Sequence, residues 1–117
     1  MMPAQYLEVH RRVRALLEQG WCQYSHARSA HEPVGPFSPD AVGWCLLGAY
    51  ISAYGGALLP KPLLALVKQT IREHFGTEGA GDDLIIPEWN DVQGRTQAQV
   101  LALMDRVITA AEMEESP

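Results

Sequence analysis

The chain has 117 residues, of which 47% are hydrophobic and 20% are charged. This length suits one domain with one hydrophobic core, and the composition is far from that of a disordered chain. Fourteen acidic and nine basic residues give a net charge of -5, which disfavours sequence-independent binding to nucleic acid. We therefore treat residues 1–117 as a single domain.

The first predicted element is a helix from Pro3 to Gln19, ended by Gly20. Apolar residues at spacings of three and four form one stripe along it: Tyr6, Val9, Val13, Leu16 and Leu17. A glycine in this position favours the left-handed conformation that closes a last helical turn. The same helix carries a basic cluster, which together with two glutamates is typical of a solvated face: His10, Arg11, Arg12 and Arg14.

The segment after this helix predicts little regular structure. Residues 21–30 alternate weakly between apolar and polar types, which indicates a short extended piece, and residues 31–40 contain three prolines and predict a loop. The loop ends in Ser38-Pro39-Asp40, a sequence typical of a helix start. Serine caps the helix, proline fits the first position, and the acid faces the positive end of the helix dipole.

The central predicted helix therefore runs from about Pro39 to Tyr54. It carries no charged residue after Asp40 and is apolar on nearly all sides. A helix of this kind is buried on several sides, and it is too short to cross a membrane. Gly55 and Gly56 end it. We expect it to form the centre of the fold.

A third helix is predicted from Leu59 to Gly76, with an apolar stripe that includes Leu63, Val67 and Ile71. An acidic, glycine-rich loop follows from residue 77. After it, residues 84–86 are largely β-branched and predict a strand that pairs with the extended segment near residue 21.

A fourth helix begins where Thr96 and Gln99 match a capping box. Its apolar stripe extends to Ala111, and residues 112–117 are expected to fray. The sequence thus predicts a mainly α fold, a compact bundle of about four helices around the central helix, with at most one short two-stranded β ribbon.

Cys45 is the candidate nucleophile, with His26 and either Asn90 or Asp91 as its orienting groups. A reactive thiolate needs a lowered pKa and access to substrate, whereas the neighbours of Cys45 in the sequence are apolar and indicate a core residue. We therefore assign no catalytic residue and keep this set as the enzymatic alternative. The histidines and cysteines lack zinc-site spacing, and no phosphate-binding loop is present, so no metal or cofactor is predicted.

The polar run from Glu88 to Thr96 allows two interpretations. Asn90 and Asp91 can fold onto nearby backbone donors, and Arg95 can pair with Asp91 or with Asp40, which together would brace a loop. Alternatively, these polar groups line a ligand pocket among aromatic side chains. The candidate residues for a ligand, a partner or a loop network are Asp40, Trp44, Trp89, Asn90, Asp91 and Arg95.

Three motifs in order resemble an uncharacterised bacterial and phage family, the domain-of-unknown-function family 6197. They are Gly20-Trp21, the run Asp40-Ala41-Val42-Gly43-Trp44-Cys45-Leu46-Leu47-Gly48-Ala49, and Trp89-Asn90-Asp91 followed by Arg95-Thr96-Gln97-Ala98-Gln99-Val100. The resemblance covers most of the chain and implies a small accessory protein. It implies no activity.

The leading hypothesis is a non-enzymatic binding module that contacts a protein partner or a small ligand through residues 89–95 and 23–40. The alternatives are a hydrolase or transferase that uses Cys45, and a nucleic-acid-associated regulator that uses Arg11, Arg12 and Arg14. No run of 18 apolar residues and no leader segment is evident, so we expect a cytoplasmic protein that does not contact membranes. A homodimer would cover any apolar patch that the helices leave open.

Overall fold

The computed structural model describes residues 3–76 and 81–115. The chain is mainly helical, as the sequence predicts, and these two ranges hold five α-helices and a small antiparallel sheet. The predicted glycine-rich loop at residues 77–80 lies outside the described residues, as do residues 116–117 of the predicted frayed tail.

All three strands lie between the first and the second helix along the chain. The helices are α1 (Pro3–Gln19), α2 (Leu46–Tyr54), α3 (Lys61–His74), α4 (Ile85–Asp91) and α5 (Gln97–Glu115). The strands are β1 (Ala27–Arg28), β2 (Pro33–Val34) and β3 (Gly43–Trp44), and a 3-10 turn (Asp82–Leu84) leads into α4.

The core lies where α1 packs along α5 and against α2. The predicted stripes of α1, α3 and α5 are confirmed, because their members face this core. Fully buried side chains include Val13, Leu17, Tyr50, Leu63, Val67, Ile71, Val100, Leu103 and Met104. Burial of each large apolar side chain contributes roughly 1.5–3 kcal/mol, so these stripes supply most of the driving force for folding.

The start of α5 confirms the predicted capping box. The Thr96 hydroxyl accepts a hydrogen bond from the Gln99 backbone N–H at 3.2 Å, and the Gln99 side chain accepts one from the Thr96 N–H at 3.0 Å. At its other end α5 continues to Glu115. The predicted fraying from residue 112 is therefore wrong as far as 115, because Ala111 is buried and Glu112 pairs with Arg11 at 3.1 Å.

The central helix is shorter than predicted and begins at Leu46 rather than near Pro39. The Ser38 hydroxyl accepts a hydrogen bond from the Asp40 N–H, and the Ala41 N–H bonds the Ser38 carbonyl, so these residues form a turn. A serine can close a turn with the same bond that caps a helix, which is why the local signal was misleading. The end at Gly55 is confirmed, with φ of 91° in the left-handed region.

The sheet has the strand order β2-β1-β3, with both neighbouring pairs antiparallel. In addition, Trp21 forms a parallel bridge with Trp44 of β3. The predicted ribbon is wrong in its partner: Leu84 ends the 3-10 turn and residues 85–86 begin α4, while Pro33–Val34 pairs with β1 inside the predicted loop. Strand pairing depends on contacts that are distant in sequence, so these short segments carried no clear local signal.

Gly20 ends α1, but it is not among the residues with positive φ. The left-handed cap predicted there is therefore wrong. A Cβ at this position would overlap the carbonyl oxygen of Val42, so the absent side chain lets the chain before β3 approach the end of α1. No helix in the ranges 3–76 and 81–115 is both long and apolar enough to cross a membrane.

Candidate functional site

Asn90 lies in the last turn of α4 and is fully buried. Its Oδ1 accepts hydrogen bonds from Trp21 Nε1 (2.8 Å) and from the Leu46 backbone N–H (3.0 Å). Its Nδ2 donates to the Cys22 carbonyl (3.2 Å) and to Asp91 Oδ1 (2.9 Å). A primary amide has two donors and two acceptor positions, so the capacity of Asn90 is fully used within the protein. Its side chain acts as a brace.

Two further side chains attach the segment after α1 to the end of α4. Gln23 Nε2 donates to the carbonyls of Asn90 and Val92, both at 3.0 Å, and Asp91 Oδ1 accepts from the Tyr24 backbone N–H at 3.0 Å. Tyr24 has φ of 70°, a left-handed conformation that costs a residue with a Cβ roughly 1–2 kcal/mol. The Tyr24 side chain is 71% exposed, so burial of the ring does not offset this strain.

Cys45 is the N-cap of α2, whereas a helix that began near Pro39 would have placed it in the second turn. Its Sγ accepts a hydrogen bond from the Gly48 N–H at 3.2 Å, and its side chain is buried. Burial raises the pKa of the Cys45 thiol to about 11. The thiol is therefore protonated at neutral pH, which disfavours a nucleophilic role.

A pocket of about 330 Å³ opens where residues 24–26 meet α2 and α4, and we call it the Tyr24 pocket. It is lined by Tyr24, Ser25, His26, Cys45, Leu47, Pro87 and Asp91. Gly48 makes this junction possible, because a Cβ there would overlap the His26 carbonyl oxygen, which also accepts the Cys45 N–H at 3.1 Å. The pocket volume falls within the usual range for small-molecule sites, roughly 300–1,000 Å³.

The Tyr24 pocket contains three of the residues proposed from the sequence, namely Cys45, His26 and Asp91. Asp91 uses Oδ1 for both of its hydrogen bonds, and its Oδ2 has no partner among the described residues. That oxygen remains available as an acceptor. Tyr24 and Ser25 lie within the 23–40 segment that the sequence predicts as a contact region, although neither was named singly. Leu47 and Pro87 were missed, since nothing in the sequence signals the approach of Pro87 to α2.

Trp89 and Arg95 form a separate packing cluster. The Arg95 guanidinium lies 4.1 Å above the Trp89 ring, and its Nε donates to the Trp89 carbonyl at 2.9 Å. Phe75 contacts the same indole edge-on, at 5.2 Å between ring centres. The predicted pairing of Arg95 with Asp91 or Asp40 is therefore wrong, because stacking on Trp89 occupies the guanidinium. Trp89 lies within α4 and is buried, so it is not part of an exposed loop.

Trp44 and Asp40 lie outside this junction. Trp44 is buried in β3, and its Nε1 donates to the Pro36 carbonyl at 3.3 Å. Asp40 is exposed and lines a shallow depression with residues of the β1–β2 hairpin. Asp40 therefore does not join Asn90 and Asp91 in one network or pocket, since Cys45 and Leu46 form the helix end that meets Asn90.

The three arginines of the basic cluster on α1 are paired with carboxylates, whereas the solvated face predicted for the cluster is wrong at His10, which is buried beside Tyr50. Arg14 lies 2.8 Å from Glu18 and 2.6 Å from Asp105, while Arg12 lies 3.6 Å from Glu8. Arg11 pairs with α5, as described above for Glu112. Neutralised guanidinium groups of this kind provide weak attraction for nucleic acid phosphates, and the structure adds nothing that favours the regulator hypothesis.

Within residues 3–76 and 81–115, no group of three or more histidine, cysteine or acidic side chains is arranged to hold a metal ion. Comparison with known proteins gives one match: the sequence model of a family of unknown function, DUF6197, covers residues 1–110. No curated protein and no solved structure gives a significant match to the chain.

Proposed function

Because the chain belongs to DUF6197, a family of unknown function, we propose a function from its own geometry: it is a non-enzymatic module that binds a ligand in the Tyr24 pocket. The observation that carries this proposal is the conformation of Tyr24. Its backbone is held at positive φ while its ring stays 71% exposed beside a pocket. Backbone strain of this kind persists where the surrounding structure enforces it, and it is found at ligand sites more than elsewhere.

The pocket lining favours a ligand with one hydrogen-bond donor and an apolar part. Leu47, Pro87 and the Tyr24 ring offer apolar contact, while Asp91 Oδ2 offers an acceptor. A few polar groups placed among apolar walls are typical of sites for small molecules or for a single side chain of a partner. Asn90 and Gln23 would support the site from behind, because their hydrogen bonds hold the pocket residues in place.

A substitution that relieves the strain and removes the ring separates binding from folding. We expect Tyr24→Gly to keep or raise the melting temperature, because glycine adopts positive φ without a steric cost. The same variant should lose the small molecule that the wild-type protein retains from a cell-metabolite extract, as measured by mass spectrometry of the protein-bound fraction. Phe37→Gly is the matched control, since Phe37 is also an exposed loop aromatic but does not line the pocket.

The proposal fails if wild-type protein retains no compound, or if Tyr24→Gly retains the same compound to the same extent. A loss of melting temperature in Tyr24→Gly would instead assign the tyrosine a structural role.

One observation favours the enzymatic alternative: Cys45, His26 and Asp91 line the same pocket. The raised pKa of Cys45 argues against it. Iodoacetamide labelling of the native protein decides between the two. We expect Cys45 to stay unmodified until denaturant is added, while the half-exposed Cys22 is labelled first. Fast labelling of Cys45 in the native state would replace the binding proposal with the enzymatic one.

A further inference from the structure

A second cavity, of about 230 Å³, lies between α1, α3 and α5, and we call it the His10 cavity. Most of its wall is apolar. The aliphatic residues are Pro62, Ala65 and Leu66 of α3 and Ala111 of α5, and Tyr6 of α1 also lines the space. His10 lines the same cavity although its side chain is only 1% exposed, so it forms the buried polar end of this space.

His10 makes one hydrogen bond within the described part of the chain. Its Nδ1 lies 2.6 Å from the hydroxyl of Tyr50, which in turn contacts Met104 Sδ at 3.7 Å. Its Nε2 has no partner there. In the same part of the chain, Trp89 Nε1 is the one fully buried side-chain nitrogen or oxygen without a partner. The Nε2 of His10 therefore keeps contact with the cavity.

Polar atoms with so little access to bulk water are nearly always paired, so a group inside the cavity is expected at this nitrogen. A buried water needs two to four polar partners. Besides His10, the lining residues with polar side-chain groups are Tyr6 and, at the exposed rim, Gln69 and Glu114. A molecule with one hydrogen-bonding group and an apolar body can pair with His10 Nε2 and cover the apolar wall at the same time.

The charges around the cavity favour an uncharged molecule. Burial lowers the pKa of His10 to about 4, so the imidazole is neutral at pH 7 and does not attract an anion. Glu114 at the rim repels one. A cation would have to leave water for a mostly apolar wall, which is costly without a buried counter-charge.

We propose that the His10 cavity is a binding site for a small neutral alcohol or phenol. The hydroxyl pairs with His10 Nε2, and the hydrocarbon part contacts Ala65 and Leu66. A hydroxyl both donates and accepts, so it fits either tautomer of the imidazole. The volume is adequate, since an apolar cavity of roughly 150 Å³ already accommodates benzene. This site shares no lining residue with the Tyr24 pocket and does not depend on the function proposed there.

Titration of the full chain with phenol tests the proposal, with toluene as the ligand that lacks a hydroxyl. The readout is the nitrogen resonance of His10 Nε2 in long-range ¹H–¹⁵N correlation spectra. We expect a saturable shift of this resonance with phenol, and binding at least about tenfold weaker with toluene, which corresponds to the loss of one hydrogen bond.

Two leucine substitutions on exposed helical alanines provide the matched comparison. Ala65→Leu fills the cavity from α3, whereas Ala102→Leu on α5 lies outside it, and neither change disturbs a buried position. We expect Ala65→Leu to weaken phenol binding about tenfold or more by steric exclusion, with Ala102→Leu unchanged. The proposal is wrong if Nε2 shows no saturable shift, if toluene binds as tightly as phenol, or if Ala65→Leu binds phenol like the wild type.

Discussion

At the scale of single residues, Asn90 joins parts of the chain that are far apart in sequence. Its partners include Trp21, 69 positions away, and Leu46, 44 positions away. Truncation of the side chain leaves the buried Leu46 N–H, the partly buried Trp21 Nε1–H and the Cys22 carbonyl without a partner. Each such group costs about 1–3 kcal/mol when it stays unpaired in the interior.

We therefore expect Asn90→Ala to lower the free energy of unfolding by about 3 kcal/mol or more. Urea denaturation monitored by tryptophan fluorescence measures this loss. Gln93→Ala is the control, because Gln93 is exposed and follows α4 closely in sequence. A cost below that of an ordinary surface substitution would mean that water replaces the amide, and that Asn90 is not a brace.

His10 makes the stability of the protein depend on pH. Burial lowers the pKa of His10 from 6.5, the value of an exposed histidine, to about 4 in the folded protein. Between these values the unfolded chain binds a proton that the folded protein does not, so stability is fully present above pH 6.5 and falls as pH decreases toward 4. The difference between the two pKa values corresponds to a loss of at most about 3 kcal/mol in the free energy of unfolding.

His10→Gln removes this titration while it keeps a neutral polar side chain. We expect the free energy of unfolding of the variant to vary less than that of the wild type between about pH 6.5 and pH 4. Urea unfolding at a series of pH values measures the free energy of unfolding of both proteins. The contribution of the carboxylates, which both proteins share, cancels when one profile is subtracted from the other. Identical pH profiles would contradict a neutral, buried His10.

At the scale of elements, the start of α2 is where local sequence and tertiary structure disagree. The sequence favours Ser38 as the helix cap, whereas the structure has Cys45 in that role. We expect Cys45→Ala to cost about 1 kcal/mol relative to Cys45→Ser, because serine can also accept the Gly48 N–H. Ser38→Ala should cost less than about 0.5 kcal/mol, as a substitution in an exposed turn.

Thermal denaturation of these three variants distinguishes the two caps. If Ser38→Ala were the more damaging change, the helix would begin near Pro39, as the sequence alone suggests.

The elements that were predictable from the sequence are those whose signal is local. The stripes of α1, α3 and α5 and the capping box at Thr96 repeat at helical spacing, and all are present. The elements that were predicted wrongly are those whose structure depends on contacts with residues far away in the sequence. β3 is extended because it pairs with β1 and Trp21, and that pairing shortens the central helix by about two turns.

The candidate site was also predictable only where its signal is local. Asn90 and Asp91 stood out as polar residues that need partners, and both hold the junction at α2. Their partners could not be found from the sequence. No local pattern indicates that Tyr24 adopts positive φ or that Gln23 reaches the end of α4, since both depend on the packing of the segment after α1.

At the scale of the whole molecule, residues 21–44 form a thin layer of turns and short strands against a helical core. The layer contacts the core through the Asn90 hydrogen bonds, the approach of His26 to Gly48 and the side chains of Ala27 and Trp44, which are its only buried side chains. Regions with few buried apolar contacts open at lower free energy than the core around them. We therefore expect this layer to open while the helices stay folded.

Two glycine substitutions near this interface test that expectation. A Cβ on Gly48 would overlap the His26 backbone, whereas a Cβ on Gly43 would find ordinary contacts at 3.5 Å or more. Gly48→Ala should therefore loosen the layer, and Gly43→Ala should leave it intact. Native-state hydrogen exchange measures this difference at the amides of Val42, Trp44 and Cys45, which donate to the carbonyls of Arg28, Gly20 and His26 in that order.

In Gly48→Ala we expect these three amides to exchange about ten- to a hundredfold faster, as for a local destabilisation of about 1.4–2.8 kcal/mol. Amides in the middle of α5 should keep their wild-type rates, because α5 packs on α1 away from this contact. Equal acceleration across α5 would mean that the protein opens as one cooperative unit. In that case the Tyr24 pocket could not rearrange around a ligand without unfolding the helical core.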